Sequence, residues 1–282
     1  MRFTFLGTGT SAGVPLIGCA CDVCTSDDPR DQRLRTSAAI DLYDEMGLPR
    51  TILLDAGPDL RQQVLRFKVE RCDSILFTHA HVDHIFGLDE VRRFNVVQHA
   101  PIDVYADAHT TEQLRRVYRH IFERENNVND SFVATLIAHR VVAMRAFTLH
   151  GLRVTPIPFL HGKQPILGYR FDAGVDTGDG SMAPGLLPLV YATDVSAVPT
   201  ETWTSLRGVR TLVLDALRHR HHPTHLTLDQ SIRIAEQCGA SKTYFVHMAH
   251  DLKHEETQAS LPESVFLAYD GLMLDDDSSR GA

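Results

Sequence analysis

Short apolar runs along the chain alternate with segments in which apolar residues recur at spacings of three and four. The runs predict buried strands and the spacings predict helices that cover them. The predicted strands are Arg2–Leu6, Ser37–Tyr43, Arg50–Leu54, Ser74–Phe77, Ile102–Tyr105, Leu152–Pro158, Leu167–Phe171, Leu186–Ala192, Thr211–Leu214, Lys242–Val246 and Val265–Ala268. The predicted helices are Asp59–Phe67, Leu88–Val97, Thr110–Glu123 and Leu228–Cys238.

Strands alternate with helices in both halves, and no linker separates the halves. We therefore expect an α/β fold in which two β-sheets carry helices on their outer faces. The expected domain spans residues 1–274, and residues 275–282 form an acidic tail that we expect to be disordered.

Composition narrows the classes of protein that this chain can belong to. Of its 282 residues 43% are hydrophobic and 23% are charged, which is enough apolar material for a packed core. Its 28 Lys and Arg against 36 Asp and Glu give a net charge of −8, which argues against a nucleic-acid partner. No apolar run reaches the roughly 18 residues of a membrane span, and no signal peptide is recognisable. We expect a cytoplasmic protein without a membrane partner.

The strongest chemical signal is an H-x-H-x-D-H pattern directly after the strand Ser74–Phe77. In an extended segment His79 and His81 point to the same side, and a following helical turn directs Asp83 and His84 to an adjacent point. Imidazole and carboxylate ligands favour Zn, Mn or Fe over Ca or Mg. The pattern predicts two neighbouring cations. The alternative, a His-rich surface turn, fits poorly with the apolar strand before it.

Three further predicted strands end in a histidine or an aspartate. These residues are His161, Asp194 and His247. Each alone is a weak signal, since a polar residue at a strand end is common. Together with the His79–His84 segment they predict one site, in which an aspartate bridges two cations.

Three of the five cysteines lie within six residues, as Cys19, Cys21 and Cys24. This spacing is typical of a metal site rather than of a disulfide framework. Three thiolates need a fourth ligand for a closed tetrahedral zinc site, and His250, three residues after His247, is the best candidate. The alternative is a set of reduced thiols without a metal.

These motifs together resemble the metallo-β-lactamase superfamily. The resemblance rests on the Gly-rich start Leu6–Pro15, the Leu54–Gly57 segment, the His79–His84 motif, His161, Asp194 and His247. It implies an αβ/βα sandwich with the metals at one edge. It assigns one cation to His79, His81 and His161, the second to Asp83, His84 and His247, and the bridge to Asp194.

The cysteine motif, the His247–His250 segment and the ending Tyr269–Met273 are similar to the PhnP-type phosphodiesterases, accessory proteins of the carbon–phosphorus lyase pathway. This similarity implies a structural Zn²⁺ held by three thiolates and a histidine, and it suggests a homodimer. The segments around 107–145 and 172–188 are longer than the family minimum and bear on the shape of the pocket.

The expected reaction is hydrolysis of a small phosphodiester, for which a cyclic ribose phosphate is one candidate. Two divalent ions, Mn²⁺ or Zn²⁺, would lower the pKa of a bridging water, and the hydroxide would attack phosphorus. His225 resembles the family's catalytic histidine and would act as general acid or bind the phosphate. His222 is a second substrate-binding candidate, and Asp83 is predicted to be catalytic as well as a ligand. Alternatively, His225 is simply a polar residue at a helix start.

Other functions remain open at this level. A tRNA 3′-end-type endoribonuclease shares the histidine motif and the Gly-rich start. Such an enzyme needs a basic arm to bind its RNA, and this acidic sequence shows no long Lys- and Gly-rich insertion. Another hydrolase of this fold would cleave thiol esters or lactams. A metal-bound module without turnover could dispense with ligands, and none of the seven predicted ligands is missing.

Overall fold

A computed structural model describes residues 1–123, 132–174 and 185–275. The strands in these ranges are β1 (Arg2–Gly7), β2 (Ser37–Tyr43), β3 (Pro49–Leu54), β4 (Ser74–Leu76), β5 (Ile102–Ala106), β6 (Leu136–Arg140), β7 (Phe147–Leu149), β8 (Leu152–His161), β9 (Gln164–Ala173), β10 (Leu189–Ala192), β11 (Thr211–Asp215), β12 (Lys242–Val246), β13 (Val265–Leu267) and β14 (Met273–Asp275). The helices are α1 (Leu60–Arg66), α2 (Val82–Ile85), α3 (Arg92–Gln98), α4 (Ala108–Val117), α5 (Arg119–Phe122), α6 (Trp203–Leu206), α7 (Leu228–Cys238) and α8 (His254–Ser260).

The strands form two sheets of seven strands each in the described part of the chain. Their orders are β14-β1-β2-β3-β4-β5-β6 and β13-β12-β11-β10-β9-β8-β7. In the first sheet β3 to β6 run parallel, and in the second β10 to β13 run parallel. The remaining pairs are antiparallel. Each sheet thus has a parallel half, and functional side chains in α/β proteins collect beyond the carboxyl ends of such strands.

The sheets pack face to face because alternate residues of each strand are apolar on the inner side. Phe3, Phe5 and Ile40 of the first sheet meet Tyr169 and Tyr191 of the second in one buried cluster. The intervening residues of each strand face outward and pack against helices. The first sheet packs in this way against α2 and α4, and the second sheet against α7. The predicted αβ/βα sandwich is confirmed.

Several elements differ from the prediction. The segment Leu88–Val97 is a 3₁₀ turn, Leu88–Val91, followed by α3. The predicted helix Thr110–Glu123 is divided at Tyr118, whose buried hydroxyl donates to the Ile85 carbonyl. Strands β6, β7 and β14 and helix α8 were not predicted, because edge strands and polar helices carry little apolar periodicity.

The boundary between the predicted domain and the predicted tail also differs from the structure. Asp275, placed in the acidic tail by its sequence, belongs to β14 and accepts a hydrogen bond from Arg2 at 2.9 Å. Residues 276–282, and residues 124–131 and 175–184 within the two predicted insertions, lie outside the described residues. Within those that are described, no helix is both long and apolar enough to cross a bilayer. A cytoplasmic location stays a prediction.

A buried ion pair fixes the turn that follows β12. The guanidinium of Arg33, whose side chain is 0% exposed, donates to Asp31 Oδ1 at 3.1 Å and to the carbonyls of Ala249 and Leu252. Burial lowers the pKa of Arg33, and the facing Asp31 carboxylate opposes that effect. Arg33 therefore holds the segment between His247 and Leu252 against the loop before β2.

Replacing Arg33 should destabilise the chain strongly, because Asp31 would be left as an uncompensated buried charge. We expect Arg33→Ala to lower the free energy of unfolding by about 3–5 kcal/mol, measured by urea denaturation. Arg30→Ala is the matched control, because Arg30 is 41% exposed and also pairs with an aspartate two residues away, Asp28. Its loss should cost about 0–1 kcal/mol. Equal losses in both variants would contradict this reading.

Candidate metal centre

Strands of both sheets end at one edge, and the turns that follow them carry polar residues of the site. Asp55 follows β3, Asp194 follows β10 and His247 follows β12. These three residues have φ angles of 62°, 60° and 59°, the left-handed region that non-glycine residues rarely occupy. Such backbone strain costs about 1 kcal/mol or more per residue and is concentrated at functional sites.

Helix α2 places the end of the histidine motif. His81 is the N-cap residue of α2 and has extended backbone angles. The chain therefore changes from extended to helical directly after His81, as predicted. The loop after β3 passes so close that a Cβ on Gly57 would lie 2.0 Å from the Asp83 carbonyl oxygen, and the Ala56 N–H donates to the His84 carbonyl. This contact fixes α2 with Asp83 and His84 buried.

The first cluster consists of His79, His81 and His161. Each offers a ring nitrogen, and these atoms lie within 4.8 Å of one another. The His161 ring is oriented by a hydrogen bond from Nδ1 to the Thr224 carbonyl at 2.8 Å. Three imidazole nitrogens facing one point match the set predicted for one cation.

The second cluster consists of Asp83, His84, Asp194 and His247, all buried and again with ligand atoms within 4.8 Å. Asp194 Oδ2 lies 3.1 Å from His84 Nε2 and 3.2 Å from His247 Nδ1. Asp194 Oδ1 lies 3.9 Å from His79 Nε2, in the first cluster. One carboxylate therefore spans both clusters, and all seven predicted residues are brought together.

The donor atoms fit a divalent cation. Nε2 of His79, His84 and His247 is buried without a hydrogen-bond partner among the described residues. Leaving a buried polar atom unpaired costs about 1–3 kcal/mol, and an imidazole lone pair is a preferred ligand of zinc and related metals. A cation between these nitrogens and the carboxylates would satisfy all of them.

The electrostatics of the centre favour positive charge. Burial alone would lower the pKa of His84, but Asp194, Asp83 and Asp55 outweigh it and raise that pKa well above its usual value. Burial alone would raise the pKa of Asp194, but the neighbouring histidines hold it well below its usual value. Burial also lowers the pKa of His247 to about 3. The carboxylates thus favour a positive charge at this point, and a cation would take the place of the His84 proton, because an imidazole must be deprotonated to bind a metal.

The cysteine cluster is assembled as predicted. Sγ of Cys19, Cys21 and Cys24 lies 3.4, 3.3 and 3.5 Å from His250 Nδ1. Ligands at zinc bond lengths of about 2.3 and 2.0 Å are roughly 3.5 Å apart across a tetrahedral angle. A hydrogen bond from the Cys24 N–H lowers the pKa of Cys21 to about 6, whereas burial raises that of Cys24 to about 11. The four residues fit a closed zinc site.

His225 stands over both clusters. Its ring centroid is 4.7 Å from that of His161 and 4.8 Å from that of His247, and the His222 ring lies 5.1 Å away. Its partner is Asp215, whose Oδ1 is 3.3 Å from His225 Nδ1. Burial raises the pKa of Asp215 to about 6, although the hydrogen bond with His225 acts in the opposite direction. Burial would lower the pKa of His225, but Asp215 raises it.

Asp215 was not among the predicted site residues. It ends strand β11, which lies beside β10 and β12. The rule that picked out Asp194 and His247, an apolar strand ending in a polar residue, applies equally to Asp215. Thr78 and Thr193, which contact ligands through their hydroxyls, were also missed because threonine is common in strands.

Comparison with known proteins agrees with this geometry. The family model of the beta-lactamase superfamily domain matches residues 50–248. The chain belongs to the metallo-β-lactamase superfamily. A crystal structure described as a new diphosphatase from the PhnP family is 42% identical, with a TM-score of 0.83 and 97% of each chain covered. The PhnP family membership is thereby shown.

Two further relatives extend the comparison. A Porphyromonas gingivalis protein named octanoyltransferase is 35% identical over 96% of this chain, but the chain spans only 51% of its length. That name therefore describes a protein about twice as long. The fold is shared by Zn²⁺-bound PqqB from Methylobacterium extorquens, which is 20% identical, with a TM-score of 0.74 and coverage of 98% of this chain and 100% of that one.

The pKa of His225 should depend on Asp215. With Asp215→Asn the effect of burial is no longer opposed, so we expect this pKa to fall by about one pH unit or more. Imidazole NMR signals followed against pH measure it. The signal of His150, whose pKa burial also lowers, is the internal control and should not move. An unchanged His225 titration would show that the two side chains do not interact.

Proposed function

We propose that the chain is a dinuclear metal-dependent hydrolase that cleaves a small phosphodiester. The observation that carries this proposal is the Asp194 carboxylate, which directs one oxygen toward each of two donor clusters. Enzymes that use paired cations need such a bridge to hold the ions at a short separation. Membership of a superfamily of metal-dependent hydrolases supports the same reaction class.

The residues divide between two cations as the family resemblance implied. His79, His81 and His161 would hold one, Asp83, His84 and His247 the other, and Asp194 both. When bound, such cations lower the pKa of water and take up charge on phosphoryl oxygens. Mn²⁺ and Zn²⁺ both suit these ligands.

His225 would supply the proton that the leaving alkoxide needs. Asp215 raises the pKa of its imidazole, which keeps a proton on the ring nearer to neutral pH. Asp83 suits a ligand better than a proton donor, because the His84 imidazole holds its pKa below the usual range although burial acts in the other direction. A catalytic role for Asp83 beyond metal binding stays a prediction.

The rim beside His225 suits an anionic substrate. Residues 218–222 are all Arg or His, in a chain with a net charge of −8. The Arg218 guanidinium donates to the carbonyls of Arg220 and His221, which holds the loop in a tight curve. His222 lies next to His225 within this curve. The two arginines of this loop would favour a small phosphate ester, whereas the acidic chain is a poor match for a long RNA.

A second candidate function is hydrolysis of a diphosphate bond. The specific observation in its favour is the 42% identity to the PhnP-family protein described as a diphosphatase. Both reactions attack phosphorus in line and would use the same residues. They differ in the leaving group, which is an alkoxide in one case and a phosphate in the other.

We also propose a structural Zn²⁺ at the cysteine cluster, where the four ligand atoms close a tetrahedron. A homodimer and a small-molecule substrate are parts of the proposal that rest on the family resemblance and on the charge of the chain.

Turnover of bis(p-nitrophenyl) phosphate with Mn²⁺ tests the reaction class. The cations provide several kcal/mol of transition-state stabilisation, so we expect Asp194→Ala to lower kcat/KM by about 10³-fold or more. Asp89→Ala, which removes an exposed carboxylate paired with Arg92, is the control and should keep full activity.

Substrate comparison separates the candidates. A ribose cyclic phosphate should be cleaved faster than a nucleoside diphosphate ester, a precursor tRNA or a thiol ester. Preference for the diphosphate would favour the second candidate. Preference for precursor tRNA or the thiol ester would contradict the proposal while leaving the metal centre in place.

Metal content tests the cofactors independently of activity. We expect about three divalent cations per chain, two removed by a chelator and one resistant, because thiolate-bound zinc is held more tightly. Cys24→Ser should lose the resistant cation alone. Cys238→Ser, which changes a cysteine outside the Cys19–Cys24 site and outside the histidine clusters, should keep all three cations. A native chain without a resistant cation would rule out the structural zinc.

A further inference from the structure

A buried hydroxyl links the two clusters. Thr78, which is 0% exposed, lies between β4 and His79. Its N–H donates to Asp55 Oδ1 at 2.8 Å, and its Oγ1 is 2.9 Å from Asp55 Oδ2. The same Oγ1 is 2.9 Å from His79 Nδ1. Thr78 thus stands between a carboxylate and an imidazole.

The positions of the protons follow from the chemistry of the groups. A hydroxyl has one proton, and a carboxylate only accepts. The Thr78 hydroxyl therefore donates to Asp55, and its oxygen accepts from His79 Nδ1. With the proton on Nδ1, the lone pair of His79 is on Nε2, the buried atom that has no partner among the described residues.

Asp55 controls the second cluster through the same oxygen. His84 Nδ1 lies 2.7 Å from Asp55 Oδ2 and donates to it. When a metal binds and His84 loses a proton, this hydrogen bond keeps the remaining proton on Nδ1 and leaves the lone pair on Nε2, a buried atom that faces Asp83 and Asp194. Oδ2 of Asp55 thus accepts two hydrogen bonds, one from His84 of the second cluster and one from Thr78, whose oxygen contacts His79 of the first.

The other histidines do not depend on this carboxylate. His161 Nδ1 is held by the Thr224 carbonyl, and His247 Nδ1 faces Thr193 and Asp194. The Thr78 carbonyl accepts a hydrogen bond from the Leu167 N–H at 3.0 Å, which ties this residue to the second sheet. Thr78 is therefore rigidly placed and acts on one imidazole only.

We propose that Asp55 and Thr78 form a relay that sets the tautomer and orientation of one histidine in each cluster. Thr78 is a positioning residue for the cation of the first cluster alone, through His79. Asp55 is a positioning residue for both cations, directly through His84 and through Thr78 to His79. This inference rests on the proposed two-cation centre.

The test compares Thr78→Val, Thr78→Ser and Asp55→Asn by the affinity for each chelatable cation, measured by Co²⁺ titration of the chelator-treated protein in visible light. Losing a partner that orients a metal ligand typically costs about 10–100-fold in affinity. We expect Thr78→Val to weaken one Co²⁺ by that factor and to leave the other unchanged. Thr78→Ser should restore both affinities, and Asp55→Asn should weaken both.

Two further measurements keep the test decisive. Thr202→Val removes another buried hydroxyl, which donates to the Pro158 carbonyl at 2.5 Å, and should leave both affinities unchanged. In the metal-free protein, ¹⁵N shifts of His79 should report the Nδ1–H tautomer in the native chain and a mixture in Thr78→Val. This second readout holds even where a variant is less stable.

Specific outcomes would overturn the relay. Native affinities for both cations in Thr78→Val would do so, as would equal loss of both. A His79 tautomer that is the same in the native chain and in Thr78→Val would also do so. A native chain that binds only one chelatable cation would instead refute the two-cation centre itself, so the two failures are distinguishable.

Discussion

The structure depends on one buried carboxylate that faces two sets of donors. Asp194 lies in a left-handed turn after β10 and directs its oxygens to His79 on one side and to His84 and His247 on the other. Three of the four residues come from different strand ends, so the two sheets must keep a fixed relation. The inter-sheet core around Phe5, Tyr169 and Tyr191 maintains that relation.

The same arrangement makes the site locally unfavourable in free energy when no ligand is bound. Left-handed turns at Asp55, Asp194 and His247, and unpaired nitrogens in the described part of the centre, are unfavourable without a ligand. A cation would offset these costs by satisfying the nitrogens and balancing the carboxylates. Arg33 shows how the surroundings contribute, since its buried guanidinium fixes the turn that follows His247. Stability and metal binding are therefore coupled in this chain.

The sequence was sufficient to predict those site residues that belong to short sequence patterns. The H-x-H-x-D-H segment and the polar ends of apolar strands brought seven residues into one prediction, and the structure places them together. It failed where a role depends on a distant contact. Asp215 is significant only because His225 packs beside it, and Thr78 only because Asp55 lies across the strand end. Edge strands such as β6 were missed because one face is exposed to solvent and their pattern is weak.

The central claim is that Asp194 bridges two cations. Anomalous diffraction from a crystal of the Mn²⁺- or Zn²⁺-loaded protein tests it most directly. The account predicts two peaks about 3.5–4 Å apart, one next to each Asp194 oxygen, with a separate peak inside the cysteine cluster. A single peak among the seven donors, or a pair that Asp194 does not touch, would contradict it.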